Sequence, residues 1–373
     1  MAQNKSQVPK GLKKIGILVA ALLVIMLAAY FIFFSGDPFV KSLQSSSPTR
    51  VAILIYGTDK NFPGALNMFL VSYEKKSKIL KVVSVNTDMV VFKKRVKAES
   101  LKNKFYEIQG KSGSVSAETS CFDDIAEATD GNFKADFCIS MNYDTFLKLA
   151  GNNKKVKNFV SASFGSKTLS GQRTQECVSQ LEATEAFLML IKGDVAGSFS
   201  RVRANYKSFD TNISKNALSF AVIYFALKDA VVMFCDLPVK YTRTRVIIDA
   251  SNCADFFTNV FLPETDLKNG ECAVTSVEVK NASGKQRMGE KAAWFLRDKK
   301  IDVYDWSNSS EIYDKTIIKD YCGNFAGSLK IAKALGAGKV IISYNNRSDY
   351  WASVYMGKDC NITDKFDAQK RGR

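Results

Sequence analysis

The segment Arg50–Tyr56 reads RVAILIY, an apolar run that predicts a strand of the buried kind, ended by Gly57. Two further strands are predicted over Asn67–Tyr73 and Ile79–Val85, on either side of the polar stretch EKKSK. Three such runs in close succession predict the start of a central sheet. Helical patterns follow, and Leu181–Ile191 is one of them. The resulting prediction is an α/β fold built on a mixed sheet.

After residue 271 the pattern changes to a compact alternation of short strands and helices. Helices are predicted over 286–298 and 323–335, between short apolar strands. This alternation predicts a second, small α/β sandwich of roughly the minimal self-supporting size. The predicted organisation is a basic segment 1–14, an apolar segment 15–34, a stalk 35–49, a domain 50–262, a linker 263–271, a domain 272–360 and a basic tail 361–373.

The apolar segment Ile15–Phe34 has 20 residues and no charge. As a helix it would be about 30 Å long, which matches the core of a bilayer and predicts a transmembrane helix. Four lysines and no acid precede it, so we expect a single-pass membrane protein with a cytoplasmic N-terminus and its bulk outside the cytoplasm. A cleaved signal peptide is the lesser alternative, because the run is long and ends in bulky aromatic residues.

Composition narrows the possible partners and chemistry. The chain of 373 residues carries a net charge of +16, which favours anionic partners such as phospholipid headgroups, lipid-linked pyrophosphates or acidic wall polymers. The predicted topology argues against nucleic acid. The chain has no histidine, which excludes histidine zinc sites, Ser-His-Asp triads and histidine general bases.

Eight cysteines all follow the apolar segment. An even number in an oxidising compartment suggests disulfides, and we expect near neighbours to pair. The alternative is that several are buried thiols, which behave as small apolar residues. The expected pairs are Cys121 with Cys138, Cys253 with Cys272, and Cys322 with Cys360.

The order of short turn motifs in residues 272–360 resembles that of the LytR C-terminal domain. In that family a VxNG(S/T)G turn opens the domain and an LGxD motif closes it. Here Val279 precedes the turn Asn281–Gly284, Leu335-Gly336 follows a helix, and Gly357–Asp359 comes last. Ala282 departs from the glycine of the family turn, although Gly284 supplies a flexible position.

Residues 50–262 resemble, at a lower level, the catalytic domain of the LytR-CpsA-Psr (LCP) family. Ala52–Asp59 is similar to the family's opening strand and GxD turn, and Asn67–Val71 to its DTxxLV strand. Further similar segments are Ser84–Asp88, Asn142–Leu149, Leu181–Met189 and Ser198–Asn205.

The resemblance implies a ligand and a chemistry. Members of the family bind a polyprenyl-pyrophosphate glycan and transfer its glycosyl-phosphate to the cell wall, with arginines on the pyrophosphate and aspartates on a divalent ion. It therefore implies Arg201 and Arg203 as catalytic residues, which with Lys207 would bind the pyrophosphate. Asp59 and Asp88 would hold Mg²⁺. Considered alone, the two aspartates equally fit ordinary strand ends, and the arginines a solvated basic loop.

Charged family positions are replaced here, which favours binding over transfer. One lost electrostatic donor commonly costs about 10²–10³ in rate, so several losses would leave little catalysis. We therefore expect a membrane-anchored envelope protein that binds a lipid-linked or wall glycan. The alternatives are an active glycopolymer phosphotransferase and a non-catalytic scaffold that docks envelope proteins through residues 272–360. The replacing residues are Ala65, Asn67, Thr87, Ser198 and Ala204.

Overall fold

The computed structural model describes most of the chain beyond the apolar segment. The described residues are 36–57, 66–91, 99–129, 131, 134–151, 153–156, 170–243, 245–261 and 274–362. The predicted transmembrane helix 15–34 and the linker 263–271 lie outside them. Within the described ranges, no helix combines the length and the apolar character needed to cross a bilayer. The predicted anchor therefore stays a prediction.

The first half of the chain forms seven strands and six helices within its described part. The strands are β1 (Thr49–Tyr56), β2 (Leu66–Glu74), β3 (Ile79–Val85), β4 (Met89–Val91), β5 (Glu99–Ser100), β6 (Phe137–Asn142) and β7 (Phe209–Thr211). The helices are α1 (Pro38–Gln44), α2 (Leu101–Ser112), α3 (Ser114–Ala128), α4 (Tyr143–Ala150), α5 (Ser170–Gly193) and α6 (Val195–Asn205), and a 3₁₀ turn follows at Tyr206–Ser208.

The second half continues with helix α7 (Lys215–Ala226) and alternates strands and helices to its end. The strands are β8 (Val231–Asp236), β9 (Val239–Tyr241), β10 (Val246–Ile248), β11 (Val277–Asn281), β12 (Val303–Asn308), β13 (Ile317–Asp320), β14 (Lys339–Ile342) and β15 (Ala352–Met356). The helices are α8 (Ala250–Phe256), which continues as a π-helical turn over Phe257–Phe261, α9 (Met288–Asp298) and α10 (Phe325–Leu335).

A large mixed sheet organises the described residues, as the sequence predicts. Its strand order is β12-β11-β15-β13-β14-β8-β3-β2-β1-β6-β7, and β5-β4-β10-β9 form a second, smaller sheet. The predicted strands 50–56, 67–73 and 79–85 are adjacent as β1, β2 and β3, each antiparallel to the next. β6 lies parallel to β1, and β8 parallel to β3. The α/β class with a mixed sheet is confirmed.

Strands from both predicted domains belong to the same sheet. β14 pairs in parallel with β8, with Ile341 opposite Phe234. One hydrophobic cluster also combines Phe105 and Phe257 with Leu335. The division at 263–271 stays a prediction, and the backbone pairing joins the regions on either side of it.

Helices cover both faces of the large sheet, which gives three layers. One face packs against α1, α4, α5, α6 and α7, and the other against α2, α3, α8, α9 and α10. Helix α1 lies within the predicted stalk 35–49, and its Phe39, Val40 and Leu43 are buried in the core. Their spacing places three apolar side chains on one side of a short helix, so this part of the stalk packs against the sheet.

Among the described residues, six cysteines are thiols that form no disulfide, which contradicts the three predicted pairs. They include Cys121, Cys138, Cys253 and Cys360, so each expected pair loses at least one member. Cys322 is the remaining described cysteine, and Cys272 lies outside the described residues. The prediction that near neighbours in sequence form disulfides was wrong, because these thiols face other groups. The Cys121 thiol donates to the Leu101 carbonyl at 3.7 Å, and the Cys138 thiol to Asn212 Oδ1 at 3.7 Å.

A buried ion pair fixes the π-helical turn to the sheet. Lys81 on β3 has 0% of its surface exposed, and its Nζ lies 2.9 Å from Glu74 Oε1 on β2. The same ammonium donates to the carbonyls of Val260 and Phe261 at 3.2 and 3.1 Å. Burial lowers the pKa of Lys81, and the hydrogen bond to Glu74 opposes that shift. Lys81 thus balances the charge of a buried carboxylate and donates hydrogen bonds to carbonyls at the carboxyl end of a helix.

Replacing Lys81 should strongly destabilise the fold. We expect Lys81→Met to lower the free energy of unfolding by roughly 3–5 kcal/mol, because Glu74 would stay buried without its cation. Urea denaturation measures this change, and Lys333→Met on the exposed side of α10 is the matched control. A loss no greater than the control's would show that this pair does not stabilise the fold.

A second buried carboxyl group, that of Glu118 on α3, has no cationic partner in the described part of the chain. Burial, with a smaller contribution from nearby Asp210, raises the pKa of Glu118 to about 8. Its Oε1 has no hydrogen-bond partner among the described residues. The folded protein therefore keeps this group protonated at neutral pH, whereas the unfolded chain ionises it near its ordinary pKa of about 4.3.

Glu118 should make stability fall as pH rises. Its pKa is higher in the folded state than in the unfolded state. Below its ordinary pKa the group therefore does not lower the free energy of unfolding, and between that pKa and about pH 8 it lowers this free energy increasingly. We expect Glu118→Gln to reduce the loss of stability between pH 5 and pH 8, measured by urea denaturation at both values. Equal pH dependence in the variant and the wild type would contradict the raised pKa.

Candidate functional site

An apolar cavity of about 290 Å³ lies between the large sheet and its helices. Alternate residues of a strand point to the same face, so β1 contributes Ile53 and β2 contributes Val71. Helices α1, α4, α5, α6 and α7 enclose the other side, with Phe39, Phe187 and Phe225 among the lining residues. Few polar groups line it, and an enclosed apolar space of this kind favours an apolar ligand over water.

A chain of buried polar groups borders the apolar cavity. Gln180 of α5 lines the cavity and accepts a hydrogen bond from Ser84 Oγ at 2.5 Å. Gln180 Nε2 donates to Asn67 Oδ1 at 3.4 Å. Asn67 Nδ2 in turn donates to the Tyr143 hydroxyl. These contacts join β2, β3, α4 and α5.

Arg173 extends this chain toward β8. Its Nε and Nη2 donate to Asp236 Oδ1 at 3.1 and 2.7 Å, and Nη2 also donates to Ser84 Oγ at 2.9 Å. Its Nη1 lies 3.0 Å from Glu176 Oε2. Only 3% of Arg173 is exposed. Burial opposes its charge, but the two carboxylates outweigh burial and keep the pKa of Arg173 well above its ordinary value.

Strand direction explains why these groups meet. β3, β6 and β8 run in one direction, and β2 runs in the opposite direction. The carboxyl ends of the first three therefore share one edge of the sheet with the start of β2. Asn67 begins β2, Tyr143 follows β6 and Asp236 ends β8. Polar groups at this edge of an α/β sheet are well placed for ligand binding.

A polar cavity of about 440 Å³ lies beside the same network. Arg173 and Cys177 of α5 line it, whereas Gln180, one helical turn later, lines the apolar cavity. Further polar lining comes from β8, β9, β13 and β15, from the start of α8 and from the segment after β14, and includes Lys319 and Tyr355. The network therefore separates an apolar space from a polar one.

The structure does not assemble the predicted metal site from described residues. Asp88 follows β3 at the carboxyl edge, and its amide donates to Asn86 Oδ1 at 3.0 Å. Asp59, its expected companion, lies outside the described residues. No group of three or more cysteine, aspartate or glutamate side chains in the described part could hold a metal ion. The described donors do not complete a Mg²⁺ site, so this site stays a prediction.

Arg201 and Arg203 are engaged by local partners. Arg201 lies 3.0 Å from Asp194 Oδ2 and donates to Ser198 Oγ at 2.9 Å. Ser198 lines the apolar cavity, whereas Arg201 is absent from its lining. Arg203 donates to Asn216 Oδ1 at 3.1 Å. Lys207 is exposed on the 3₁₀ turn.

Three of the replaced family positions make hydrogen bonds within the protein. Asn67 belongs to the buried network, and Ser198 accepts from Arg201. The Thr87 hydroxyl donates to the Leu66 carbonyl at 3.0 Å. Ala204 is exposed on α6, and Ala65 lies outside the described residues. The neutral replacements therefore have structural partners where the family has charges.

Sequence reasoning missed Arg173, Glu176 and Gln180. The predicted helix began at Leu181, whereas α5 begins at Ser170. The stretch SGQRTQECVSQ carries no apolar periodicity, because polar residues such as Arg173 and Gln180 take buried positions there. The spacing i, i+3, i+7 was the available signal, since it places these three side chains on the same side of a helix.

Comparisons with known proteins found likeness in structure only. No family model and no curated protein matches the sequence. Similar solved structures include Lin1025 from Listeria innocua, with 16% identity, a TM-score of 0.39 and coverage of 59% of this chain and 100% of that one. TagU from B. subtilis has 10% identity, a TM-score of 0.39 and coverage of 59% and 98%. TagV from B. subtilis has 12% identity, a TM-score of 0.40 and coverage of 57% and 96%. Likeness at these levels assigns neither a family nor an activity to this chain.

The buried network should depend on Ser84. We expect Ser84→Ala to lower the free energy of unfolding by roughly 1–3 kcal/mol, because Arg173 and Gln180 each lose a buried partner. Chemical denaturation measures the loss. Ser140→Ala is a matched control, since Ser140 is equally buried on β6 and its hydroxyl has no partner among the described residues. Equal losses in the two variants would show that the network contributes no stability.

Proposed function

We propose that this protein binds the apolar chain of a lipid-linked glycan in the cavity between the large sheet and helices α1 and α4–α7. The observation that carries the proposal is the cavity itself, which is lined almost entirely by aliphatic and aromatic side chains. Cavities of about 150 Å³ with such a lining stay dry and accept apolar ligands. Two dozen or more apolar neighbours would replace water around an isoprenoid segment.

The polar network supports a ligand with a polar head. Gln180 contacts the cavity and belongs to the chain that includes Ser84 and Asn67. Ligand sites typically combine an apolar lining with a few fixed polar groups that orient the ligand. An amphipathic molecule would place its chain in the cavity and its head toward the carboxyl edge of the sheet.

The electrostatics favour binding without efficient transfer. A phosphoryl-transfer site needs cations directed at the reacting phosphate. Arg173 is neutralised by Asp236 and Glu176, and Arg201 is paired with Asp194. With these charges already compensated, the site retains the means to hold a lipid and little means to stabilise a transition state.

The cellular setting of the proposal comes from the sequence. The apolar segment 15–34 would anchor the protein in the membrane with its bulk outside, where lipid-linked glycans are presented. The net charge of +16 would favour their anionic head groups. The resemblance to the LCP family points to the same class, a polyprenyl-pyrophosphate-linked or wall glycan.

Filling the cavity should remove the lipid. Ala183 of α5 lines the cavity, and Ala183→Phe would occupy the space that a chain requires. We expect at least a roughly 5-fold decrease in lipid recovered by organic extraction and mass spectrometry of the purified full-length protein, with folding retained because a filled cavity commonly stabilises.

Met189→Phe introduces the same aromatic side chain on the exposed side of the same helix and should leave the lipid yield unchanged. Equal yields from Ala183→Phe and the wild type would contradict binding in this cavity. So would wild-type protein that carries no lipid when extracted from its native membrane.

A further inference from the structure

The polar cavity lies where the regions before and after residues 263–271 meet. β8 forms one wall, and β13, β14 and β15 form the adjoining wall through the pairing of β14 with β8. Its described lining contains three cations and two carboxylates, together with four tyrosines. The charged lining residues are Arg173, Lys240, Lys319, Asp236 and Asp249.

Two of these cations already have carboxylate partners. Arg173 pairs with Asp236 at 2.7 Å, and Lys240 with Asp249 at 3.0 Å. Lys319 on β13 has no hydrogen bond or ion pair within the described part of the chain. Its ammonium lies 5.0 Å from the centre of the Tyr355 ring, a cation–π contact that leaves its N–H donors available.

The surroundings of Lys319 disfavour an uncompensated charge. Burial lowers the pKa of Lys319, and Asp236 partly opposes the shift. A partly buried ammonium without an acceptor gains from any anion that reaches it, because charge-assisted hydrogen bonds are about twice as strong as neutral ones. Tyr321 and Tyr344 line the same space and carry hydroxyl groups that either donate or accept.

We infer that this cavity is an anion site that binds a phosphate-type group through Lys319, with tyrosine hydroxyls around it. The ligand would compensate the cation that the protein leaves without a carboxylate. The inference goes beyond lipid binding and uses different residues, since neither Lys319 nor Tyr355 lines the apolar cavity. An occupied site would also bridge β8 to β13 and β15, and so hold together the regions before and after residues 263–271.

Calorimetric titration of the full-length protein with inorganic pyrophosphate tests the inference. Salt at about 150 mM screens the general attraction of a basic protein for anions. We expect Lys319→Gln to weaken binding by roughly 10- to 100-fold, as for loss of a hydrogen bond to a charged group. Lys330→Gln, on the exposed side of α10, should bind as the wild type does. No binding by the wild type, or equal binding by both variants, would overturn the site.

Acetylation of the wild-type protein gives a second test that needs no variant. Mass spectrometry should show that pyrophosphate protects Lys319 from acetic anhydride and leaves Lys330 unprotected. Equal protection of both lysines, or of neither, would overturn the inference even if Lys319→Gln fails to fold.

Farnesyl pyrophosphate distinguishes the two sources of such an anion. If it binds more tightly than pyrophosphate, and Ala183→Phe removes the difference, the site takes the head group of a lipid whose chain enters the apolar cavity. If both bind equally, the site takes a free phosphate compound. In the second case the anion site stands although this lipid does not use the apolar cavity.

Discussion

The burial of Arg173 constrains the whole carboxyl edge of the sheet. A guanidinium removed from water requires partners for its N–H groups and its charge, or the fold bears the full cost of desolvation. Asp236, Glu176 and Ser84 supply those partners from β8, α5 and β3. Helix α5 therefore has a fixed position over the sheet, and the position of the helix determines the shape of both cavities.

The two cavities differ because different strands supply their floors. β1, β2, β3 and β6 present aliphatic and aromatic side chains on the α5 face, so the space above them is apolar. Farther along the same face, β13 presents Lys319 and β15 presents Tyr355. The polar cavity depends on the pairing of β14 with β8, because that pairing brings the late strands beside the early ones. Neither the region before residues 263–271 nor the region after them contains this cavity alone.

Local pattern predicted the elements well and their long-range partners poorly. The apolar runs 50–56, 67–73 and 79–85 became adjacent strands, since each run carries its own signal in consecutive residues. The pairing of β14 with β8 joins residues about a hundred positions apart, and nothing in either strand specifies the other.

The residues of the candidate site were equally hard to predict, because they depend on long-range contacts. Arg173 and Lys319 are ordinary polar positions in the sequence, and only packing reveals that they are enclosed. The predicted cysteine pairs were wrong because an even number of cysteines does not show which thiols face one another in the fold.

The replaced family positions acquire a physical meaning from this arrangement. A buried aspartate at position 67 would need a cation or a proton, whereas the amide of Asn67 both donates to Tyr143 and accepts from Gln180. Thr87 likewise makes a neutral hydrogen bond to the Leu66 carbonyl, and the neutral hydroxyl of Ser198 accepts from Arg201. Such exchanges suit an edge whose guanidinium is already balanced by two carboxylates, since an added charge there would lack compensation. The cation left for an anionic ligand then lies on β13, which β14 joins to β8, and outside the segments that resemble the LCP family.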